Sequence, residues 1–378
     1  MHNRSEQKRL QNSTRCVFFL TGLVFALWSC LVPGVKDHAR LDDGGLGLML
    51  LCLGVGSLLG MPLAGMMVAR YGCRIVALSG LGMACIALLP LSFLGDLRML
   101  PVCLFLFGGG LGAVETAINI QAVAVEERGR TPMLSNFHAF FSIGGAVGAA
   151  GFPALIALGL PPSMAIVPGQ VVIGISMALA ARGLLARRLT EGKTAQGLVM
   201  PSGLVWLLGL LTCFAFLAEG AVLDWGGVYL STQPRIVPLQ SGWGYSVFSF
   251  AMTAARLAGD RAILRLGRDR MLLLGGLGAA LGFGFLVFAP GTLFVPAGFL
   301  LIGLGCANIV PILYTLAGRQ TAMSAHAAVS AMTTMGYAGI LAGPPLIGAL
   351  AMGISLPAAF LLLSLLMIAI AASFCLAR

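Results

Sequence analysis

Long apolar stretches, separated by short polar turns, repeat along the whole chain. Each stretch is about 20 residues long, which is the length that an α-helix needs to cross the hydrocarbon core of a bilayer. The first stretch follows several basic residues but has no small-residue cleavage site, so it is interpreted as a helix and not as a secretory signal. The pattern predicts twelve membrane-spanning helices, over residues 16–35, 46–68, 75–94, 99–124, 134–158, 163–185, 203–230, 243–264, 271–289, 292–316, 327–351 and 355–376.

The only sizeable polar connection lies in the middle of the chain, over 187–202, and divides the spans six and six. This predicts a six-helix bundle over 1–186, a cytoplasmic linker and a second six-helix bundle over 203–378. The two halves also repeat each other, because RYGCR (70–74) recurs as RLGRD (265–269) after the second span of each half. Parallel six-helix repeats are typical of one transporter architecture, in which the binding site lies between the halves near the bilayer midplane.

Composition narrows the possible functions further. Of the residues, 58% are hydrophobic and only 10% are charged, which excludes an ordinary soluble protein. The nine cysteines form no C-x-x-C pair and no cluster with histidine, so neither a disulfide framework nor a metal site is expected. The chain has no nucleotide-binding lysine motif and no nucleophile–base pair. We therefore expect neither an ATP-driven pump nor an enzyme, and no cofactor.

The basic residues are distributed unevenly between the two sides of the predicted membrane. Most of the 23 Lys and Arg residues fall at the two termini, in the central linker and in the turns on that same side. Because cytoplasmic loops carry the excess of basic residues, both termini are expected in the cytoplasm and the protein in the inner membrane. The net charge of +10 comes from this asymmetry. The basic residues form no single face, so nucleic acid is not an expected partner.

Several motifs resemble the major facilitator superfamily. The turn G-x-x-x-A-R-Y-G-C-R (65–74) is similar to that superfamily's loop motif, with Ala69 where the family usually carries an acid; the acid in the matching region of the second half is Asp260. Four further segments resemble the fucose permease branch and its uncharacterised relatives of the YbjJ type, over 112–119, 135–148, 218–230 and 256–265. The resemblance covers the whole chain. It implies a fold of two six-helix bundles and a protein that functions as a monomer.

The resemblance also assigns a proton site. In the fucose permease branch, an acid in the first helix acts with a glutamate in the fourth helix in proton coupling and sugar recognition. Here GAVETAIN (112–119) places Glu115 at the position of that glutamate, whereas Ser29 stands where the first-helix acid would be. The resemblance therefore gives the proton-coupling role to Glu115 and leaves the sugar open.

Acidic residues inside apolar spans are costly and so mark functional or paired sites. Glu115 and Asn119 are four residues apart and share a helix face, which fits either a proton site or a contact between helices. Asn119 is also a candidate for substrate binding. Glu219 is a candidate for substrate binding. Asp224, five residues further on, lies on another face unless nearby glycines loosen the helix. Asp224 and Trp225 either shape the cavity or lie at the outer membrane interface.

Other polar residues in the spans have either a structural or a ligand-binding role. Arg256 and Asp260 are expected to form an ion pair, because an unpaired charge at that depth is costly. The pair either braces the cytoplasmic gate or contacts the substrate. His138 is either a structural histidine or a ligand. Asn308 stands in span ten where Glu115 stands in span four, so it is a candidate for substrate binding. The gate is expected to include further arginines, namely Arg70, Arg74, Arg261 and Arg265.

Together these features predict a secondary active transporter that works by alternating access. Its expected cargo is a small polar solute, such as a sugar or a related metabolite, moved together with protons. The first alternative is a proton-driven efflux antiporter for drugs or metabolites, although the Gly-Pro-rich element of such antiporters is matched poorly in span five (148–156) and better in span eleven (339–348). The second alternative, a membrane sensor derived from a transporter, would need a larger cytoplasmic domain than the linker provides.

Overall fold

A computed structural model describes residues 2–40, 43–92, 99–186, 200–201, 203–231, 243–288 and 294–373. Most of the predicted linker and the carboxy-terminal residues 374–378 lie outside the described residues. Within the described ranges the chain is helical almost throughout and contains no strand. The α-helices are α1 (His2–His38), α2 (Asp43–Leu91), α3 (Leu100–Gly129), α4 (Leu134–Ala157), α5 (Pro162–Ala165), α6 (Val167–Ala180), α7 (Leu204–Ser231), α8 (Trp243–Leu266), α9 (Arg268–Phe288), α10 (Val295–Cys306), α11 (Ile309–Arg319), α12 (Ala325–Gly353) and α13 (Leu356–Ala372).

All twelve predicted spans coincide with described helices. Nine helical segments in the described part of the chain are long and apolar enough to cross a membrane. One of them, Met49–Leu91 within α2, contains two predicted spans that are separated by a break at Gly72. The remaining two spans are α8, which carries several charges, and α13, which is apolar but shorter. The prediction of an all-α membrane protein with twelve spans is confirmed.

Several elements differ from the prediction in detail, among them α1 and span ten. Helix α1 begins at His2 instead of residue 16, because its polar first turns continue the helix and pack on α3. There the side-chain amide of Gln7 donates to the carbonyl of Val125 at 3.1 Å, and Leu10 is buried. Span ten is also interrupted, since α10 ends at Cys306 and α11 begins at Ile309.

The sequence repeat is reproduced in the backbone of the two matching turns. Gly72 in RYGCR has φ 81° and Gly267 in RLGRD has φ 85°. A residue with a side chain rarely adopts this left-handed conformation, whereas glycine adopts it at no steric cost. The glycine at the third position of each motif therefore lets the chain turn sharply between consecutive spans.

The fourth span of each half packs closely against its neighbours in the same half. In the first half, a Cβ atom on Gly60 of α2 would lie 2.6 Å from the carbonyl oxygen of Gly109 on α3. In the second half, a Cβ atom on Gly275 of α9 would lie 2.7 Å from the carbonyl oxygen of Gly305 on α10. Real Cβ atoms do not come that close to backbone, so these backbones approach each other only because glycine has no side chain.

The described chain divides into two compact units, each with its own interior. The first turns of α4 belong to the second unit, and the first turns of α12 belong to the first unit. The units therefore differ from the predicted bundles, whose bounds stay a prediction, by these two short segments. Unit 1 consists of Met1–Arg130, Phe140–Pro201 and Met323–Ala331, and unit 2 consists of Thr131–Ala139, Ser202–Ala322 and Met332–Arg378.

The turn glycines give a first prediction. Gly72→Ala should lower the thermal stability of the purified protein, because a non-glycine residue in the left-handed region costs about 1–2 kcal/mol. The matched control is Gly174→Ala in α6, where the added methyl group meets no atom within 4 Å and φ is ordinary. That control should leave the melting temperature unchanged or raise it slightly. Equal melting temperatures for the two variants would contradict the assignment of strain to the turn.

Candidate functional site

Glu115 lies in the middle of α3, where almost every residue is buried. Its side chain is buried, with 8% of the residue exposed. The side-chain amide of Asn119, one turn further along, donates to the backbone carbonyl of Glu115 at 2.9 Å and lies 3.4 Å from its carboxylate oxygen Oε2. The spacing of four residues thus brings the two side chains together as predicted. The side-chain oxygens of Asn119 and Thr116 are buried and have no hydrogen-bond partner among the described residues.

Glu219 of α7 forms an ion pair with Arg256 of α8. The guanidinium nitrogen Nη2 of Arg256 lies 3.6 Å from Oε2 of Glu219, and the two side chains are 8% and 18% exposed. Oε1 of Glu219 is buried and has no hydrogen-bond partner within the described part of the chain. The ion pair offsets the cost of holding two charges away from water, so both residues depend on it.

The interruption of span ten supplies the next contact. Ala307 and Asn308 lie between α10 and α11, and the residue four positions after Ala307 is Pro311, which has no backbone N–H to donate to the Ala307 carbonyl. The carbonyl of Ala307 instead accepts a hydrogen bond of 3.2 Å from Nε of Arg256. The side-chain amide of Asn308 donates to the carbonyl of Ala255 at 3.3 Å. Two hydrogen bonds therefore tie the break in span ten to α8.

Asp260, one turn after Arg256, contacts the beginning of α4. Its two carboxylate oxygens accept hydrogen bonds from the backbone amides of Ser135 at 3.2 Å and Asn136 at 3.0 Å. The first amides of a helix have no partner within the helix, and a negative charge is favourable at that end. Asp260 therefore caps α4, and the expected ion pair of Arg256 with Asp260 stays a prediction.

The aromatic candidates lie in different surroundings. The ring of His138 stacks on Tyr314 with a centroid separation of 6.0 Å, and the hydroxyl of Tyr314 lies 3.0 Å from that of Thr333. Trp225 is half-buried, and its ring nitrogen is buried with no hydrogen-bond partner in the described ranges. Asp224 is exposed. Helix α7 runs unbroken through both residues, so Asp224 is not brought to the face of Glu219.

The arginines expected at the gate make different contacts. Arg74 donates through Nε to the carbonyl of Leu184 at 3.2 Å and through Nη2 to that of Arg182 at 3.4 Å. It therefore satisfies carbonyl groups at the end of span six, where the helix leaves them without partners. Arg70 lies over the ring of Tyr71, with its guanidinium carbon 5.3 Å from the ring centroid. The other two arginines expected at the gate, Arg261 and Arg265, are exposed on α8.

Gln121 and Gly259 make contacts between helices that were not predicted from the sequence. The side-chain oxygen of Gln121 accepts from the amide of Leu185 at 2.9 Å, and its nitrogen lies 3.3 Å from the hydroxyl of Thr14. Gln121 could have been found, because a polar side chain within an apolar span is a signal of the same kind as the acid of Glu115. Gly259 of α8 leaves room for the side chain of Asn308, with which a Cβ atom would collide. No signal in the sequence indicates this, because the contact joins segments that are distant in sequence.

Comparison with known proteins decides the family. A sequence model of the Major Facilitator Superfamily matches residues 16–233. An uncharacterized MFS-type transporter of Yersinia pestis is 45% identical over 363 residues, which cover 96% of this chain and 94% of the relative. The chain belongs to the major facilitator superfamily. Both the family and the fold are therefore those of transporters.

Solved structures of the superfamily share the fold of this member. A variant of the Escherichia coli fucose:proton symporter FucP superposes with a TM-score of 0.81 at 18% identity, over 97% of each chain. The human organic anion transporter TETRAN superposes with a TM-score of 0.76 at 15% identity, over 98% of this chain and 99% of that one. At these identities the similarity concerns the fold alone.

The ion pair of this superfamily member gives a second prediction. Replacing Glu219 alone by Leu leaves Arg256 buried without its countercharge, which should cost about 3–5 kcal/mol and lower the melting temperature. The double variant Glu219→Leu, Arg256→Met removes both charges and should cost less than the single variant. Asp224→Asn, on the same helix but exposed, serves as the control and should stay close to wild type. A double variant that is less stable than either single variant would contradict a buried ion pair.

Proposed function

We propose that this protein is a secondary active transporter of the inner membrane that moves a small polar solute together with protons by alternating access. The observation that supports this most is the buried carboxyl group of Glu115, which lies in an apolar span against the amide of Asn119. An ionised carboxylate is costly in an apolar span, so a buried carboxyl group at this depth is suited to bind and release a proton. Taking up a proton removes a charge whose desolvation opposes closure of a cavity, and this links proton binding to the conformational change.

The Glu219–Arg256 pair is proposed to hold the solute. Nε of Arg256 donates to the carbonyl of Ala307, and the side-chain amide of the neighbouring Asn308 donates to the carbonyl of Ala255. Two buried acceptors at this place, Oε1 of Glu219 and Oδ1 of Asn308, have no partner among the described residues. Buried acceptors without a partner are costly, so a solute that carries hydroxyl or amino hydrogens would satisfy them.

Sugars and related metabolites are the first solutes to test. The structural neighbour FucP is described as a fucose:proton symporter, which supports a sugar only by likeness of fold. Ser29 stands where the fucose permease branch has an acid, so the same sugar is not implied. A thermal-shift screen of the purified protein against sugars, sugar acids and common antibacterials identifies the class, because a ligand that binds the folded state raises its melting temperature.

The proton site gives a third prediction. In proteoliposomes with an imposed pH gradient, Glu115→Gln should abolish accumulation of the solute found in the screen, because the substituted side chain carries no exchangeable proton. Exchange of labelled for unlabelled solute should persist, because exchange requires no net proton movement. Glu219→Gln should instead weaken solute binding in the thermal-shift assay. Glu127→Gln, an exposed position on the same helix as Glu115, is the matched control and should accumulate solute normally.

Two results would contradict these assignments. Accumulation by Glu115→Gln against a gradient would show that the proton is carried elsewhere. Uptake driven by an opposite pH gradient, into vesicles that are acidic inside, would identify the efflux antiporter instead of the symporter.

The orientation gives a fourth prediction. Reporter fusions at Lys193 and Arg378, which both lie outside the described residues, should read as cytoplasmic because of the uneven distribution of basic residues. A fusion at Arg235, in the connection after span seven, is the control and should read as periplasmic. A periplasmic signal at Lys193 or Arg378 would contradict the proposed orientation.

A further inference from the structure

Helix α8 makes two charged contacts that lie one turn apart and reach different elements. Arg256 contacts Glu219 of α7 and the Ala307 carbonyl at the break in span ten. Asp260 accepts the backbone amides at the beginning of α4. Residues four apart share a helix face, so both contacts lie on the same side of α8. A displacement of this face changes both contacts together.

The surface of α8 between the two contacts is closely fitted to its neighbours. A Cβ atom on Gly259 would lie 2.8 Å from the Cβ atom of Ser135 and would collide with the side-chain oxygen of Asn308. Asn308 is itself bonded to the carbonyl of Ala255, one turn before Gly259. Close-packed interiors transmit strain instead of absorbing it. The break in span ten, α8 and the start of α4 therefore form one continuous packed assembly.

The start of α4 is a sensitive position because this helix belongs to both units. Residues Thr131–Ala139 lie in unit 2, whereas the rest of α4 lies in unit 1. The capping hydrogen bonds of Asp260 fall within the first part. A change in that cap therefore acts on a helix that continues into the other unit.

We propose that α8 couples the Glu219–Arg256 pair to the beginning of α4, with Asp260 as the positioning residue at the far end. A change in the partners of Glu219 alters the position of Arg256 and of the helix that carries it, and this weakens or strengthens the cap on α4. The inference deepens the proposed function, because it gives the solute-binding pair a route to the conformational change. Its test requires neither solute nor proton gradient, so it can fail independently of the transport assignment.

Hydrogen–deuterium exchange of the full-length protein measures this coupling directly. The amides of Ser135 and Asn136 donate to Asp260, so the peptide over 131–140 reports the strength of the cap. Asp260→Ala removes the acceptor and should speed exchange in this peptide about tenfold or more. Glu219→Gln, a change on α7, should speed exchange in the same peptide by about threefold or more, the size expected for coupling through a packed network.

The controls separate coupling from a general loss of stability. Asp224→Asn changes an exposed acid on the same helix as Glu219 and should leave the peptide at the wild-type rate. Peptides from α9 should exchange at the wild-type rate in every variant. The double variant Glu219→Gln, Asp260→Ala should exchange no faster than Asp260→Ala alone, because the cap is already lost.

Three results would overturn the proposal. The first is wild-type exchange over 131–140 in Glu219→Gln, which would leave Asp260 as a helix cap with no coupling. The second is an equal rise in α9, which would show general loosening. The third is a full additional rise in the double variant. If Glu219→Gln does not fold, Arg256→Lys, which keeps the charge but shortens its reach, is measured against the same criteria.

Discussion

A guanidinium group inside a membrane span has to find its hydrogen-bond acceptors within the protein, because hydrocarbon supplies none. Arg256 meets this requirement with a carboxylate from α7 and with the carbonyl of Ala307, which has no helical donor because Pro311 lacks a backbone N–H. The requirement is mutual, since the carbonyl of Ala307 also needs a donor and Glu219 needs a countercharge. One buried charge thus fixes the arrangement of α7, α8 and the two parts of span ten. The polar residues proposed to bind solute are held in place by the same contacts.

Much of the fold could be predicted from sequence because its determinants are local. Hydropathy and length locate the spans, and the repeated motif identifies Gly72 and Gly267, whose positive φ values the structure shows. The pairing of Glu115 with Asn119 was also predictable, because a spacing of four residues brings side chains together on any α-helix. In each of these cases the partners lie within one helix or one turn.

The remaining contacts depend on which helices pack together, and the sequence does not show this. The spacing rule could not offer Glu219 as a partner of Arg256, because Glu219 lies on another helix. The same rule could not predict that Asp260 caps α4, because its partners are backbone amides that any sequence provides. The early start of α1 was missed for a related reason: its polar first turns are stabilised by packing on α3, which hydropathy alone does not detect.

Matching positions in the two halves of the chain contact the start of a helix, α12 in one case and α4 in the other, but they do so with different side chains. Gly65 and Asp260 each lie five residues before the arginine that opens the repeated turn. In unit 1, Gly65 leaves room for Ser330 at the start of α12, whose hydroxyl donates to the carbonyl of Met61 at 3.0 Å. In unit 2, the equivalent position supplies a carboxylate that caps the start of α4. Hydrogen bonds to a charged acceptor are roughly twice as strong as those between neutral groups. Of these two matching positions, the one that supplies a charged acceptor to a helix start is therefore Asp260, on the same helix as the buried arginine.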